Sequence, residues 1–331
     1  MAISLDDLLN IQPSVVSRDL TGYITYLYGA PKVGKTTLAK DMGALIIACE
    51  DGTRAMSGAY AKIVQSWSDI KTIVRLLKDN KLKEKYKAIA IDTIDVAASL
   101  CEKYVCSQNG VDKLGAIPYG GGWTLYKKEL EETFRTIALQ GYAVLFISHD
   151  KEKQITRQDG TEYTKIVPTV TDTVNNIIKN MSDIVCYGYQ APNSEERFMI
   201  LRSDGSVDVG TRFPYMESKI PFGYQSLVDA LNRAIDEEEK HGGVNAVTNE
   251  RAIRAEEKRL DFDELVNNFN TKIKSLMEKN SEEDFAKNWS PKIVQITDRY
   301  LGKGKKVNQC TRDQVEQLEL INIELDELIK E

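Results

Sequence analysis

The sequence predicts an α/β protein: a core built on a mostly parallel sheet flanked by helices, followed by a small helical module at the C-terminus. Three observations carry this reading. From about Gly22 to Leu231, apolar β-rich runs alternate with stretches of helical spacing. The first of these runs passes through a glycine-containing turn straight into a helix. Finally, the polar, glycine-containing segment from His241 to Asn249 breaks the pattern, and only helical spacing follows it.

Taken in order, strands are expected at Tyr23 to Tyr28, Ala44 to Cys49, Ala88 to Ile91, Ala143 to Ile147 and Asp183 to Tyr189. Phe198 to Arg202 and Ser206 to Val209, separated by Ser203-Asp204-Gly205, read as a hairpin at the sheet's end. Helices are expected after the glycine turn, at Asp69 to Asp79, Val96 to Ser107, Leu125 to Leu139, Val174 to Asn180 and Gln225 to Lys240. In the tail, Phe262 to Lys279, Glu282 to Leu301 and Thr311 to Ile329 have helical apolar spacing, with Thr311-Arg312-Asp313-Gln314 as a start signal. The expected boundaries are an extension over 1–19, the core over 20–240, a linker over 241–260 and the helical module over 261–331.

The glycine turn carries the most specific chemistry. Tyr28-Gly29-Ala30-Pro31-Lys32-Val33-Gly34-Lys35-Thr36-Thr37 is a complete phosphate-binding loop. Gly29 and Gly34 let successive backbone N–H groups turn inward around phosphates, Lys35 reaches the β/γ oxygens, and the Thr36 hydroxyl is placed to ligate Mg²⁺. The chain is therefore expected to bind a nucleoside triphosphate.

Three further strand ends supply polar groups. Ala88-Ile89-Ala90-Ile91 ends in Asp92-Thr93, where a carboxylate holds Mg²⁺ and its waters in this class of fold. Ala48-Cys49 leads to Glu50-Asp51-Gly52, so Glu50 is a candidate to polarise the attacking water, with Asp51 the competing carboxylate and a solvated acidic turn the bland alternative. Val144-Leu145-Phe146-Ile147 ends in Ser148-His149-Asp150, and His149 is a candidate sensor of the γ-phosphate or else a surface histidine ending a strand.

At 331 residues the chain is long enough for about two domains. Its net charge of −6 divides unevenly. From Glu237 onward 21 acidic face 16 basic residues, leaving 29 against 28 before it, so the core is near neutral and global charge neither supports nor excludes DNA. The five cysteines have no zinc-like spacing and read as reduced thiols. The N-terminus lacks signal-peptide features and no run reaches membrane-spanning length, so an intracellular protein without membrane contact is expected.

The order of these parts resembles the RecA-like recombination ATPases, in particular the short phage nucleotide-binding proteins of single-strand annealing. The resemblance covers roughly Asp19 to Leu231 and rests on the phosphate loop, the Glu50 turn, the Asp92-Thr93 strand end and the Phe146-Ile147-Ser148-His149 strand end. His149 departs from the glutamine usual in that family.

The resemblance implies a RecA-like core that hydrolyses ATP with Mg²⁺ between subunits of a ring or filament. Its expected partner is single-stranded DNA, in annealing or strand exchange in the cytoplasm of a bacterial host. It also implies two mobile loops facing that strand, at Asn109 to Trp123 and Lys151 to Val167. Lys113, Tyr119, Trp123, Lys127 and Lys128 in and after the first, and Lys151, Lys153, Arg157, Tyr163 and Lys165 in the second, combine cations with stacking surfaces. Gly120, Gly121 and Gly122 would let the first loop move. A cation supplied in trans is expected at Arg202 or Arg212, with Lys219 third. The acidic tail, with its basic segment Leu301 to Val307, is expected to bind a protein partner. A competing expectation is a nucleotide-gated interaction protein such as a helicase loader.

Overall fold

The computed structural model describes residues 8–10, 16–241, 247–248 and 260–330. They divide into two compact units, one within Pro13–Glu256 and the other within Met1–Gln12 and Glu257–Glu331. Most of the expected 241–260 linker, and residues 1–7 and 11–15 of the expected extension, lie outside the described residues.

The larger unit is α/β, as expected. Its strands are β1 (Ile24–Gly29), β2 (Leu45–Ala48), β3 (Tyr60–Ile63), β4 (Ala88–Asp92), β5 (Ala143–Ser148), β6 (Asp150–Thr156), β7 (Glu162–Pro168), β8 (Ile184–Gln190), β9 (Arg197–Ile200), β10 (Gly210–Thr211) and β11 (Lys219–Pro221). Its helices are α1 (Lys35–Asp41), α2 (Trp67–Leu76), α3 (Asn80–Lys85), α4 (Ile94–Gln108), α5 (Gly121–Leu139), α6 (Asp172–Met181) and α7 (Tyr224–Lys240). Nine strands form one sheet in the order β11-β9-β8-β1-β5-β4-β2-β3, with β10 also on β8. From β3 to β8 every pairing is parallel, and β9, β10 and β11 close one side antiparallel.

Both faces of the parallel strands are covered, which is why these strands read as continuous apolar runs rather than alternating ones. Side chains still alternate between two cores. Tyr26, Tyr28, Ile89, Ile91, Val144 and Phe146 meet Trp67, Ile70, Leu130 and Phe134 from the helices on one face. Leu27, Ile46, Ala88, Ala90 and Leu145 meet Leu38 of α1 and Leu227 and Leu231 of α7 on the other. Full burial of each large side chain contributes roughly 1.5–3 kcal/mol. Substituting alanine for the fully buried Phe134 would open a cavity under Trp67 and Phe146, whose rings lie 5.8 and 5.1 Å from it.

Several boundaries differ from expectation for identifiable reasons. Helix α2 begins two residues early because Ser66 caps it, with Asp69 completing a capping box from the N3 position. Helix α5 begins at Gly121 rather than Leu125, so Gly121 and Gly122 belong to its first turn and not to a mobile loop. Gly122 serves close packing there: an added Cβ would sit 2.3 Å from the Leu114 carbonyl oxygen. The expected hairpin of 198–202 with 206–209 does not form. Instead β9 pairs with β8 and β11, and Val207 makes a single bridge to Ile166.

The smaller unit is helical, with α8 (Phe262–Lys279), α9 (Ser290–Leu301) and α10 (Val315–Lys330). Asp261 caps α8 by accepting from the Glu264 N–H. The helix expected over Glu282 to Leu301 spans those residues, with a π turn over Phe285–Trp289 just ahead of Pro291, which has no N–H to donate. Leu318, Ile321, Ile296 and Leu301 form its core. The buried Asn322 amide donates to the carbonyls of Leu265 and Leu318 at 3.0 and 2.9 Å, tying α10 to α8.

Candidate functional site

Strand register brings the four motif segments to one edge of the sheet. Ala48 stands opposite Asp92, Asp92 opposite Ile147, and Ser148 opposite Tyr28. The residues that follow, Glu50, Thr93, His149 and Gly29, therefore emerge side by side at the carboxyl ends of parallel strands. The main chain aims Glu50 further. The N–H groups of Cys49 and Glu50 both donate to the Asp92 carbonyl oxygen, at 2.7 and 3.3 Å.

Glu50, Thr93 and His149 line a cavity of about 380 Å³ together with Asp92 and the phosphate-loop residues Lys32, Gly34, Lys35 and Thr36. Lys35 is buried, and its Nζ donates to the carbonyl oxygens of Gly29 and Ala30 at 2.6 and 2.9 Å. Burial lowers its pKa, against the opposing pull of Asp92, Asp150, Asp95 and Glu50. Ala30, Pro31 and Val33 continue the turn, with the Val33 N–H donating to the Ala30 carbonyl oxygen at 3.4 Å and Lys32 in left-handed geometry at φ 68°. Thr37 lines the same cavity from the first turn of α1.

Thr36 and Asp92 come together. The Thr36 Oγ1 donates to Asp92 Oδ2 at 2.6 Å across the intervening strand β5. Burial holds the Asp92 carboxyl above the ordinary range, partly offset by that hydrogen bond. A hydroxyl beside one carboxylate is a hard-oxygen set that fits Mg²⁺, which keeps waters and substrate phosphates as its other ligands.

Glu50 Oε1 accepts from Thr93 Oγ1 at 2.5 Å, and its Oε2 lies 3.7 Å from His149 Nε2. His149 Nδ1 is 3.5 Å from Lys35 Nζ, so the imidazole spans the candidate phosphate and water-activating groups. Asp51 instead pairs with Arg54. Beside them, burial pushes the Cys49 thiol up to about 12, leaving it protonated at neutral pH.

The second expected loop is a different object. Residues 150–156 and 162–168 form the antiparallel hairpin β6–β7. It starts one residue after His149 and closes where the Thr169 N–H donates to the His149 carbonyl oxygen at 2.9 Å. Several of its cations are engaged: Lys151 Nζ with the Thr169 carbonyl oxygen, Lys153 with Asp172, and Lys165 with Asp208, which also pairs with Lys179. Arg157 lies 4.6 Å over the Tyr163 ring near the tip.

In the first segment, Tyr119 is left-handed at φ 57° and fully exposed, and Trp123 is 57% exposed on α5. Lys113 is exposed ahead of a short 3-10 turn, while Lys127 lies on α5 beside a cleft shared with α6. Lys128 makes a 3.7 Å pair with Glu132.

The arginines expected to act in trans have local partners. Arg202 donates to the carbonyl oxygens of Met216 and Phe213 at 2.6 and 2.9 Å, and also to that of Pro214. Arg212 pairs with Asp183 at 3.3 Å and donates to the Asn180 carbonyl oxygen, at the amino end of β8, away from the cavity. Lys219 sits 3.8 Å over the Phe198 ring.

Sequence reasoning missed Thr93, which orients Glu50, and Arg197, whose Nη1 donates to the Val33 carbonyl oxygen at 3.2 Å. The hydroxyl directly after Asp92 was a usable signal for Thr93. Nothing marks Arg197, which reaches the loop from an antiparallel strand 164 positions on.

Parallel sheet, phosphate loop and the Thr36–Asp92 pair together define a P-loop ATPase class of protein. Residues 21–213 match the family model described as an AAA domain (AAA_24), and the chain belongs to that family. It is 30% identical over 336 residues to the SPbeta prophage-derived uncharacterized protein YorG of Bacillus subtilis (strain 168), covering 98% of this chain and 99% of that protein. The crystal structure of the RadB recombinase is similar over 62% of this chain and 90% of that one, at 13% identity and a TM-score of 0.37. Among the described residues, no helix is long and apolar enough to cross a membrane.

Proposed function

We propose that this protein is a DNA-dependent recombination ATPase that hydrolyses ATP with Mg²⁺ at a site shared between subunits, gripping single-stranded DNA for annealing or strand exchange. The observation that carries the proposal is the placement of His149. Its ring stands between Lys35 and Glu50, and its backbone closes the hairpin β6–β7. A change at the γ-phosphate position therefore has a short covalent path to an exposed hairpin with an arginine stacked on a tyrosine.

Within this reading each side chain has a defined task. Inward-facing N–H groups of the non-proline residues in Gly29 to Thr37 hold the phosphates, Pro31 shaping the turn without donating, and Lys35 exchanges its loop carbonyls for β/γ oxygens. Thr36 and Asp92 would hold Mg²⁺, which would supply positive charge against that building on the phosphate oxygens. Glu50, oriented by Thr93, accepts a proton from the attacking water. Tyr119 and Trp123 offer base-stacking faces, Lys113 and Lys127 face the backbone phosphates, and Lys151, Lys153, Arg157 and Lys165 do so once freed from their present partners. Prophage kinship supports this setting, and the host cytoplasm is its proposed location.

The test is fluorescence anisotropy of a labelled single-stranded oligonucleotide, with and without ATP and Mg²⁺, across a salt series. Binding is expected to tighten with ATP and to weaken with salt by a slope of roughly −0.7 per neutralised phosphate. Lys35→Ala is expected to abolish the ATP response. Equal binding by wild type with and without nucleotide refutes the DNA half of the proposal. A second reading, a nucleotide-gated loader, is favoured by one feature: the tail is a compact unit with its own apolar core. Loss of partner recruitment on deleting residues 257–331, in a protein whose hydrolysis oligonucleotides do not stimulate, would select it; intact oligonucleotide-stimulated hydrolysis in the truncation would argue against it.

A further inference from the structure

We infer that Arg197 is a positioning residue for nucleotide binding: it holds the Val33–Gly34 peptide so that the Gly34 N–H faces the phosphates. The inference rests on nucleotide binding at the loop and is independent of DNA.

A trans peptide is planar, so its C=O and N–H point in opposite directions. Arg197 Nη1 donates to the Val33 carbonyl oxygen at 3.2 Å. Fixing that oxygen outward therefore turns the Gly34 N–H inward. The constraint matters because Gly34, at φ 116°, belongs to the residue type whose backbone reorients most freely.

Arg197 is itself well located. It opens β9 opposite Gln190, and its carbonyl oxygen accepts from the Phe222 N–H at 2.9 Å. Its guanidinium lies 5.9 Å from the centre of the Phe222 ring. Phe222 in turn occupies space that Gly188 leaves free, since a Cβ on Gly188 would lie 2.6 Å from Phe222 Cε2. A Cβ on Gly34 would lie 2.9 Å from Arg197 Nη1 and 3.0 Å from Phe222 Cε1. Gly188, Phe222, Arg197 and Gly34 thus form one stack behind the loop. The cavity is lined by Gly34, Lys35 and Thr36 but not by Arg197, so the arginine acts through the loop rather than on the nucleotide.

Titration of fluorescent ATP and ADP analogues into wild type, Arg197→Ala, Arg197→Lys and Phe222→Leu tests this. Arg197→Ala is expected to weaken both nucleotides equally, by on the order of tenfold, the equivalent of one charge-assisted hydrogen bond. The loss should appear in KM, with kcat at saturating ATP within about threefold of wild type. Arg197→Lys should recover part of the affinity, because an ammonium can still donate to the Val33 oxygen. Phe222→Leu should fall between wild type and Arg197→Ala. Mixing Arg197→Ala with Lys35→Ala subunits should restore nothing. Unchanged affinities in Arg197→Ala, weakening of ATP alone, or recovery on mixing would each overturn the inference. Failure of wild type to bind either nucleotide would overturn the phosphate-loop reading as well.

Discussion

Under the proposed function, replacing Glu50 by glutamine should separate nucleotide binding from hydrolysis. The amide oxygen of glutamine can still accept the Thr93 hydroxyl that now lies 2.5 Å from Glu50 Oε1, so the side chain keeps its direction. What disappears is the carboxylate's capacity to take a proton and the negative charge 3.7 Å from His149 Nε2. Loss of a general base costs roughly 10²- to 10⁴-fold, or about 2.7–5.4 kcal/mol at 1.36 kcal/mol per tenfold. Removing a negative charge beside the phosphate site should leave ATP affinity equal or tighter. The assay is single-turnover hydrolysis with enzyme in excess, paired with anisotropy of a fluorescent ATP analogue. Asp51→Asn is the control, because Asp51 pairs with Arg54. A fall of less than tenfold in Glu50→Gln, or a large fall in Asp51→Asn instead, would show that the water is activated elsewhere.

Two further predictions concern residues that the fold holds firmly. Burial raises the Asp92 pKa above its unfolded value, so ionised Asp92 disfavours the folded state, with the full cost above the folded pKa and none below the unfolded one. Asp92→Asn should accordingly raise the nucleotide-free Tm at neutral pH, with the gain fading on acidification toward pH ~4, while hydrolysis is lost; a gain that grew on acidification would contradict this sign. Arg202→Ala should destabilise the protein by about 2–4 kcal/mol in urea unfolding, since it strips donors from the carbonyls of residues 213, 214 and 216. Unaltered stability with abolished hydrolysis would instead favour Arg202 as the trans cation.

The buried parts of this fold were legible because strands covered on both faces must be apolar throughout. Ala88 to Ile91 and Ala143 to Ile147 announce themselves in that way. Edges carry no such signal. Tyr60–Ile63 is exposed along its whole length and is not among the expected strands, and the alternating polar run Asp150–Thr156 falls largely in an expected mobile loop until β7 pairs with it. The candidate site followed the same division. Lys35, Glu50, Asp92 and His149 were visible because each follows a strand or a motif of fixed spacing. Arg197 was not, because its partner is a backbone oxygen reached only once β9 folds back against β8. The partners of Arg202 and Arg212 were equally hidden, since a lone arginine looks the same in sequence whether it caps carbonyls or stands free.

The hairpin after His149 has a practical consequence. A segment that leaves and re-enters the fold at two bonded residues, 149 and 169, is a cassette. Its turn around Gly160 can be lengthened, nicked or labelled while the sheet register below stays as it is, because β6 and β7 pair with each other and with no strand of the central sheet. Under the proposed function, a fluorophore placed at that turn would report nucleotide chemistry beside His149 as an optical signal.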